Sequence, residues 1–247
     1  MGTAHEVVAP QPWACPGDRL ERYGVVERLG FGTGRAGGEV VAMACGGLAM
    51  RRGKVAIEAS VRRYVPEVGH TVVGMVRVRH GESFEVDVGS AISAFLPMMH
   101  FQGATRRNRP SVDVGDVLHA RVTRAGRGIE TELSCVDAQG QSAGFGHLKQ
   151  GCVLRVPLDA ARDLRSGKNP MLASLGETIP FSAVVGGNGR VWVHGKDHAA
   201  TALVARAITS SIGLGGVPQV EALARRFAAE HLTARAASAG DNDMVGS

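Results

Sequence analysis

Apolar and polar residues alternate through Val72-Val73-Gly74-Met75-Val76-Arg77-Val78 and again through Phe84-Glu85-Val86-Asp87-Val88, with Arg79-His80-Gly81-Glu82-Ser83 between them. A period of two sends successive side chains to opposite faces of an extended chain, so this stretch reads as a β-hairpin with one buried face. Further strands are read at Val117-Leu118-His119-Ala120-Arg121-Val122 and at Ile129 to Val136. Val68-Gly69-His70 opens one strand and Val114-Gly115-Asp116 another, with Pro16-Gly17-Asp18 as a third relative. Glycine permits the tight turn, and the polar residue after it begins a strand that curls. Five short strands so punctuated within about 70 residues predict a small closed barrel of the OB type.

The flanking segments read differently. Glycine reaches 34 residues of 247 while aromatics make up only 4%, which argues against one large apolar core and for several small, turn-rich modules. Upstream, Val40 to Cys45 and Lys54 to Ile57 read as strands around a turn at Gly46-Gly47. Downstream, Gly140-Gln141-Ser142-Ala143-Gly144 reads as a flexible joint. A strand at Val153 to Val156 follows, then a short helix capped by Asp159. Strands at Phe181 to Val185 and Arg190 to His194 flank Gly186-Gly187-Asn188-Gly189. Asp197 is expected to cap a helix to about Ile212, and Pro218 to open a last helix from Gln219 to about Leu232. The fold class is therefore multi-domain β and α+β: an N-terminal β domain over 1–62, a barrel over 63–139, an α+β domain over 145–232, and a disordered small-residue tail over 233–247.

No run of about 18 apolar residues occurs, so no membrane span is expected. Met1 to Glu6 has neither a basic start nor a long apolar stretch, so no signal peptide is expected. Cys15, Cys45, Cys135 and Cys152 form no CxxC pair, which makes a structural zinc unexpected and reads the four thiols as reduced core residues of an intracellular protein. No metal or cofactor is expected.

Three motifs resemble catalytic signatures and fail on context. Gly32-Thr33-Gly34-Arg35-Ala36-Gly37 fits GxGxxG, but a strand follows where a dinucleotide site needs a helix N-terminus, so a hairpin loop is expected. Gly47 to Lys54 has one residue too many for a phosphate loop, and Val55 stands where the magnesium-binding hydroxyl is required. Gly140 to Gly144 fits GxSxG around Ser142, with Asp163 and His194 downstream in order, but no helix follows the serine. A hydrolase is not expected.

The charge feature that carries chemistry is Gly103-Ala104-Thr105-Arg106-Arg107-Asn108-Arg109-Pro110. Three guanidiniums in four residues, in a loop stiffened by proline, make a phosphate cradle. Lys+Arg 28 against Asp+Glu 23 gives a net charge of +5, which suits an acidic partner. Loops at the strand ends of such barrels bind single strands, so Arg106, Arg107 and Arg109 are candidate RNA contacts. Arg124 is a weaker addition, and Phe84, Phe95 and Phe101 are candidate stacking surfaces.

Arg63-Tyr64-Val65-Pro66, Phe84 to Gly89, Phe101 to Pro110, Glu132 to Asp137 and Gly186 to Val193 occur in an order that resembles the RNA exosome's S1/KH-domain cap subunits. Ala104 to Pro110 favours the component-three branch over its paralogue. The resemblance implies an N-terminal β domain, an S1 RNA-binding barrel and a KH domain with G-x-N-G in place of GxxG. It implies a non-catalytic protein on a ring of RNase PH-like subunits, beside other S1-type cap subunits and, through the complex, an RNase II-type exoribonuclease. Single-stranded RNA would enter there 3′ end first for rRNA maturation and RNA decay, in the nucleus, nucleolus and cytoplasm. Pro97 stands where the family's barrel carries a histidine, which shifts weight to the arginine loop. Asn188-Gly189 between two strands is a hairpin-turn signal, so Gly186, Asn188 and Gly189 are expected to shape structure, with Trp192 as a buried anchor. The alternative function is a free-standing S1/KH RNA-binding factor acting in translation or on ribosomes.

Overall fold

The computed structural model describes residues 13–242, apart from 31, 52, 59–62, 127, 138 and 215; expectations at 1–12 and 243–247 lie outside the described residues. The chain divides between residues 61 and 62 into two compact units.

In the first unit, β1 (Trp13–Ala14), β2 (Arg28–Leu29), β3 (Thr33–Ala36), β4 (Glu39–Ala42), β5 (Gly46–Arg51) and β6 (Lys54–Glu58) form a sheet of order β1-β5-β6-β2 and a separate β3–β4 hairpin. The GxGxxG run is that hairpin: Gly37 and Gly38 carry φ +60 and +89, the left-handed pair a two-residue turn requires. The turn expected at Gly46-Gly47 is instead the start of β5, where these residues face Ala14 and Trp13 of β1. Gly53, at φ +72, supplies the left-handed residue between β5 and β6. Alternation in β4 turns Val40 and Ala42 inward to join Ala14, Leu20, Leu48, Val55 and Ile57.

The second unit begins with a barrel. β7 (Thr71–Arg79), β8 (Ser83–Asp87), β9 (Ala94–Pro97), β10 (Val117–Gly126), β11 (Ile129–Ser134) and β12 (Gly146–Leu148) run in the order β11-β9-β8-β7-β10-β12, and a β10–β11 pairing closes five of them into a ring. Only β9 and β11 run parallel, meeting at Phe95 and Glu132. β9 is the strand that alternation did not show; it is four residues long and ends in proline. Inside, Val72, Val76, Phe84, Val86, Leu96, Leu118, Val122 and Leu133 form the core. Gly74 is required here, because a Cβ would lie 2.3 Å from Val86 Cγ1.

The rest of the unit comprises β13 (Cys152–Arg155), α1 (Leu158–Ser166), α2 (Met171–Gly176), β14 (Phe181–Val185), β15 (Arg190–Gly195), α3 (His198–Ser211) and α4 (Val217–Asn242), with the strands ordered β13-β15-β14. Asp197 caps α3, its carboxylate accepting from the Ala200 amide at 2.6 Å. Ala200, Leu203, Val204, Ala207, Ile208 and Ser211 then bury one helical stripe. The first helix starts earlier than expected. Pro157 is its cap and Asp159 sits in the first turn, where a carboxylate still complements the helix dipole. The last helix also extends past Leu232 to Asn242, because the small-residue stretch expected to be a disordered tail is alanine-rich and of high helix propensity. Among the described residues no helix is long and apolar enough to cross a membrane, and no group of three or more His, Cys, Asp or Glu could hold a metal.

The expectation that all four cysteines are core residues needs correction. Cys135 is buried and Cys152 half-buried, but Cys15 and Cys45 are exposed.

Candidate nucleic-acid interface

The arginine loop links a 3-10 turn at Met98–His100 to β10, and its own backbone shapes it. Gly103 takes φ +69, and the Ala104 amide donates to Phe101 O at 3.1 Å. Thr105 and Asn108 then lock the tip. The Thr105 amide donates to Asn108 O, the Asn108 amide to Thr105 Oγ1, both at 2.9 Å, and Asn108 Nδ2 to Gly103 O at 3.1 Å. Asn108 is therefore the internal brace among the three arginines, all of which are exposed. Arg109 donates to Gly81 O at 3.2 Å and ties the loop to the β7–β8 turn. Among the described residues, neither Arg106 nor Arg107 is paired with a carboxylate.

Arg106 and Arg109 border an open cleft of about 570 Å³ whose wall includes Phe95, Pro97 and Met99. Cationic side chains over an apolar wall are the two elements that hold a single strand: phosphate attraction and a surface for a base. Glu82 also lines this cleft. Elsewhere on the barrel, Arg79 and Arg77 are held by carboxylates. Arg79 pairs with Asp113 at 2.6 Å, Arg77 with Asp87 at 3.1 Å, and Arg124 lies opposite Glu132 in the β10–β11 ladder.

The candidate aromatics separate by strand parity. Phe84 is completely buried, packed edge-on against Phe101 at 5.9 Å between centroids, so its ring is closed to a base. The barrel buries Phe84, Val86 and Val88 on its inner face, and the reading of Phe84 as an RNA contact is corrected on that ground. Phe95 has the opposite parity, between buried Ala94 and Leu96, and faces outward at the cleft.

The G-x-N-G run forms the tight connection between β14 and β15 and docks on the barrel. Asn188 Nδ2 donates to Val73 O at 2.8 Å and to Val88 O at 2.9 Å, while its Oδ1 accepts from the Val73 amide at 3.2 Å. The Gly187 amide donates to Thr71 O at 2.8 Å and the Gly189 amide to Gly186 O at 3.3 Å. These N–H groups are thus engaged within the protein rather than presented to a phosphate. Any side chain at Gly186 would come within 2.7 Å of the Val73 nitrogen. Trp192 is buried nearby and donates its indole N–H to Gln150 O at 2.8 Å.

Arg190 extends the same junction, its nearly buried guanidinium contacting both Asp87 O and Asp87 Oδ2, the latter at 2.9 Å. Burial works against the Asp87 carboxylate, but the Gly89 amide, Arg190 and Arg77 outweigh it and hold the carboxyl at about 2. Sequence reading missed this pair. Its members lie 103 positions apart and carry no local signal.

Ser142, the centre of the GxSxG run, sits in a loop leading into β12 rather than at a strand-to-helix turn. The expected flexible joint is also braced: Gln102 bonds Gln141 and the Ser142 amide, and Asp137 accepts from the Gln139 and Gln141 amides.

Comparison with known proteins matches residues 64–146 to the family described as "Exosome complex component RRP40, S1 domain" and 151–199 to the KH domain family. The chain is 41% identical over 154 residues to the exosome complex component rrp40 of Schizosaccharomyces pombe, a match spanning 62% of this chain and 64% of that protein. It is 34% identical over 201 residues to the exosome complex component RRP40 of Drosophila melanogaster, covering 79% of this chain and 87% of that protein. A crystal structure assigned to an exosome complex RNA-binding protein shares the fold, with a TM-score of 0.59, 21% identity, and coverage of 70% of this chain and 99% of that one. With an S1 barrel and a KH domain in the same order and the likeness carried over most of a full-length relative, the chain belongs to the Rrp40 family of exosome complex components.

Proposed function

We propose that this chain is the exosome's component three: a non-catalytic, RNA-binding cap that stabilises a ring of RNase PH-like subunits and guides single-stranded RNA to it for 3′→5′ processing and degradation. Its other partners are the remaining S1-type caps and, through the assembly, an RNase II-type exoribonuclease. It works in the nucleus, nucleolus and cytoplasm. Family membership supports the assembly. The observation that carries the RNA role is the braced loop holding Arg106, Arg107 and Arg109 in solvent beside the cleft lined by Phe95. The braced backbone spares the loop an ordering cost when it meets phosphates, and the attraction of its guanidiniums raises the local concentration of RNA at the entry. The barrel and the α+β domain are joined through Asn188 and Arg190, so the loop has a firm base.

The test replaces Arg106, Arg107 and Arg109 by Glu in the reconstituted complex. The expected result is intact assembly with strongly reduced crosslinking to RNA. Neutral replacement of Arg106 and Arg107 by Ala should lower the slope of log affinity against log salt by about 1.4, at about 0.7 per phosphate contact on a single strand. Unchanged crosslinking and slope would overturn the assignment of the loop. Purification of the tagged chain on ribosomes, without RNase PH-like subunits, would overturn the cap reading instead.

A further inference from the structure

Two exposed cysteines of the first unit take no part in the reading above. Cys15 directly follows β1 and Cys45 directly precedes β5. These strands are antiparallel, with Trp13 opposite Gly47 and Ala14 opposite Gly46. Continuing that register by one rung places Cys15 opposite Cys45. Their sulfurs are 3.8 Å apart. Directly opposed residues in such a ladder bring their Cβ atoms to about 4.5–5.5 Å, close to the span of a disulfide.

The backbone on both sides is held. The Cys15 amide donates to the Asp18 carboxylate at 2.9 Å, and the Gly17 amide to Ala42 O at 2.8 Å. On the other strand, the Met43 and Ala44 amides both donate to Gly32 O. Closure therefore needs side-chain rotation to bring the sulfurs to about 2.05 Å, with a small approach of the two strand ends. A metal is not the better occupant, since no third ligand joins the pair among the described residues.

We propose that Cys15 and Cys45 are a reversible dithiol–disulfide pair that fastens β1 to β5, with low-molecular-weight disulfides of the glutathione type as its reagents. In the first step one protein thiolate attacks a sulfur of glutathione disulfide. That S–S bond breaks, and one glutathione leaves as a thiolate that takes up a proton. The second cysteine loses its proton to solvent, attacks the mixed disulfide and expels the second glutathione. Two protein thiols and one glutathione disulfide become one protein disulfide and two glutathione thiols. The hydrogen bond with Cys45, and then the charge that sulfur would carry, raise the Cys15 thiol above its ordinary pKa. Burial pushes the Cys135 thiol up to about 12 and also raises Cys152, which leaves both as internal controls.

The test equilibrates the full chain in buffers of reduced and oxidised glutathione, blocks free thiols by alkylation, and maps the peptides. The expected product links Cys15 to Cys45 while Cys135 and Cys152 remain alkylated. Cys15→Ser should trap glutathione on Cys45, an adduct the parent chain resolves, and Cys45→Ser should trap it on Cys15. Stable glutathione adducts on both cysteines of the parent chain, or chain-to-chain links in place of the internal one, would overturn the proposal. Because the readout is covalent linkage in the isolated chain, its outcome is independent of RNA binding and of assembly.

Discussion

Asn188→Ala removes three hydrogen bonds at once from the interior of the second unit: two donated to Val73 O and Val88 O and one accepted from the Val73 amide. Alanine fills none of that space with polar atoms. Asn188 is 7% exposed, so water has little route to replace it. At about 1 kcal/mol net per hydrogen bond, with an added penalty for barrel groups left without a partner, the expected loss is about 3–4 kcal/mol. That is a large fraction of the roughly 5–15 kcal/mol that stabilises a typical domain. Asn188→Asp should cost at least as much, since it keeps the size but turns two donated bonds into contacts between a carboxylate and carbonyl oxygens. Urea unfolding followed by tryptophan fluorescence measures this directly. Trp192 is 7% exposed and Trp13 is 71% exposed, so most of the signal reports on the second unit. A loss below about 1 kcal/mol for Asn188→Ala would refute the account of the hairpin as the pin between barrel and α+β domain.

Two further perturbations probe the same unit. Asp87 has a depressed carboxyl, so the stability it contributes is present above its unfolded value near 3.8 and lost as pH falls through about 2. Allowing for its partial exposure, acid unfolding between these values should remove about 1–2 kcal/mol from the parent chain. Asp87→Asn should be less stable near neutral pH and lack that limb; equal limbs in both chains would refute it. Phe84→Ala should destabilise the barrel by about 3–5 kcal/mol, whereas Phe95→Ala should leave the melt nearly unchanged. The Phe95→Ala chain should instead weaken single-stranded RNA binding by about 1–3 kcal/mol, and equal RNA affinity in parent and Phe95→Ala would remove the cleft wall as a stacking surface.

Local rules carried the fold a long way. Alternation identified β7, β8, β10 and β11, and Asp197 marked the start of α3, because each depends on residues close together in the chain. The arginine loop was legible for the same reason, as three like charges ending in proline. What failed locally also has physical causes. β9 is too short to show a period, Gly46 and Gly47 carry no side chain to favour strand over turn, and the alanine-rich end of α4 resembles tail in composition alone.

The sequence by itself determined which faces of the strands are apolar, where α3 begins and which loop bears free positive charge. Only the tertiary structure decided which groups meet. Closing the barrel turned Phe84 inward and left Phe95 at the cleft beside Arg106. Docking the β14–β15 hairpin matched Asn188 to carbonyls 115 and 100 residues earlier and Arg190 to Asp87. The β1–β5 register brought Cys15 within 3.8 Å of Cys45. Hydrogen bonds, ion pairs and thiol contacts act over a few ångströms, so chain separation hides them until folding brings their partners together.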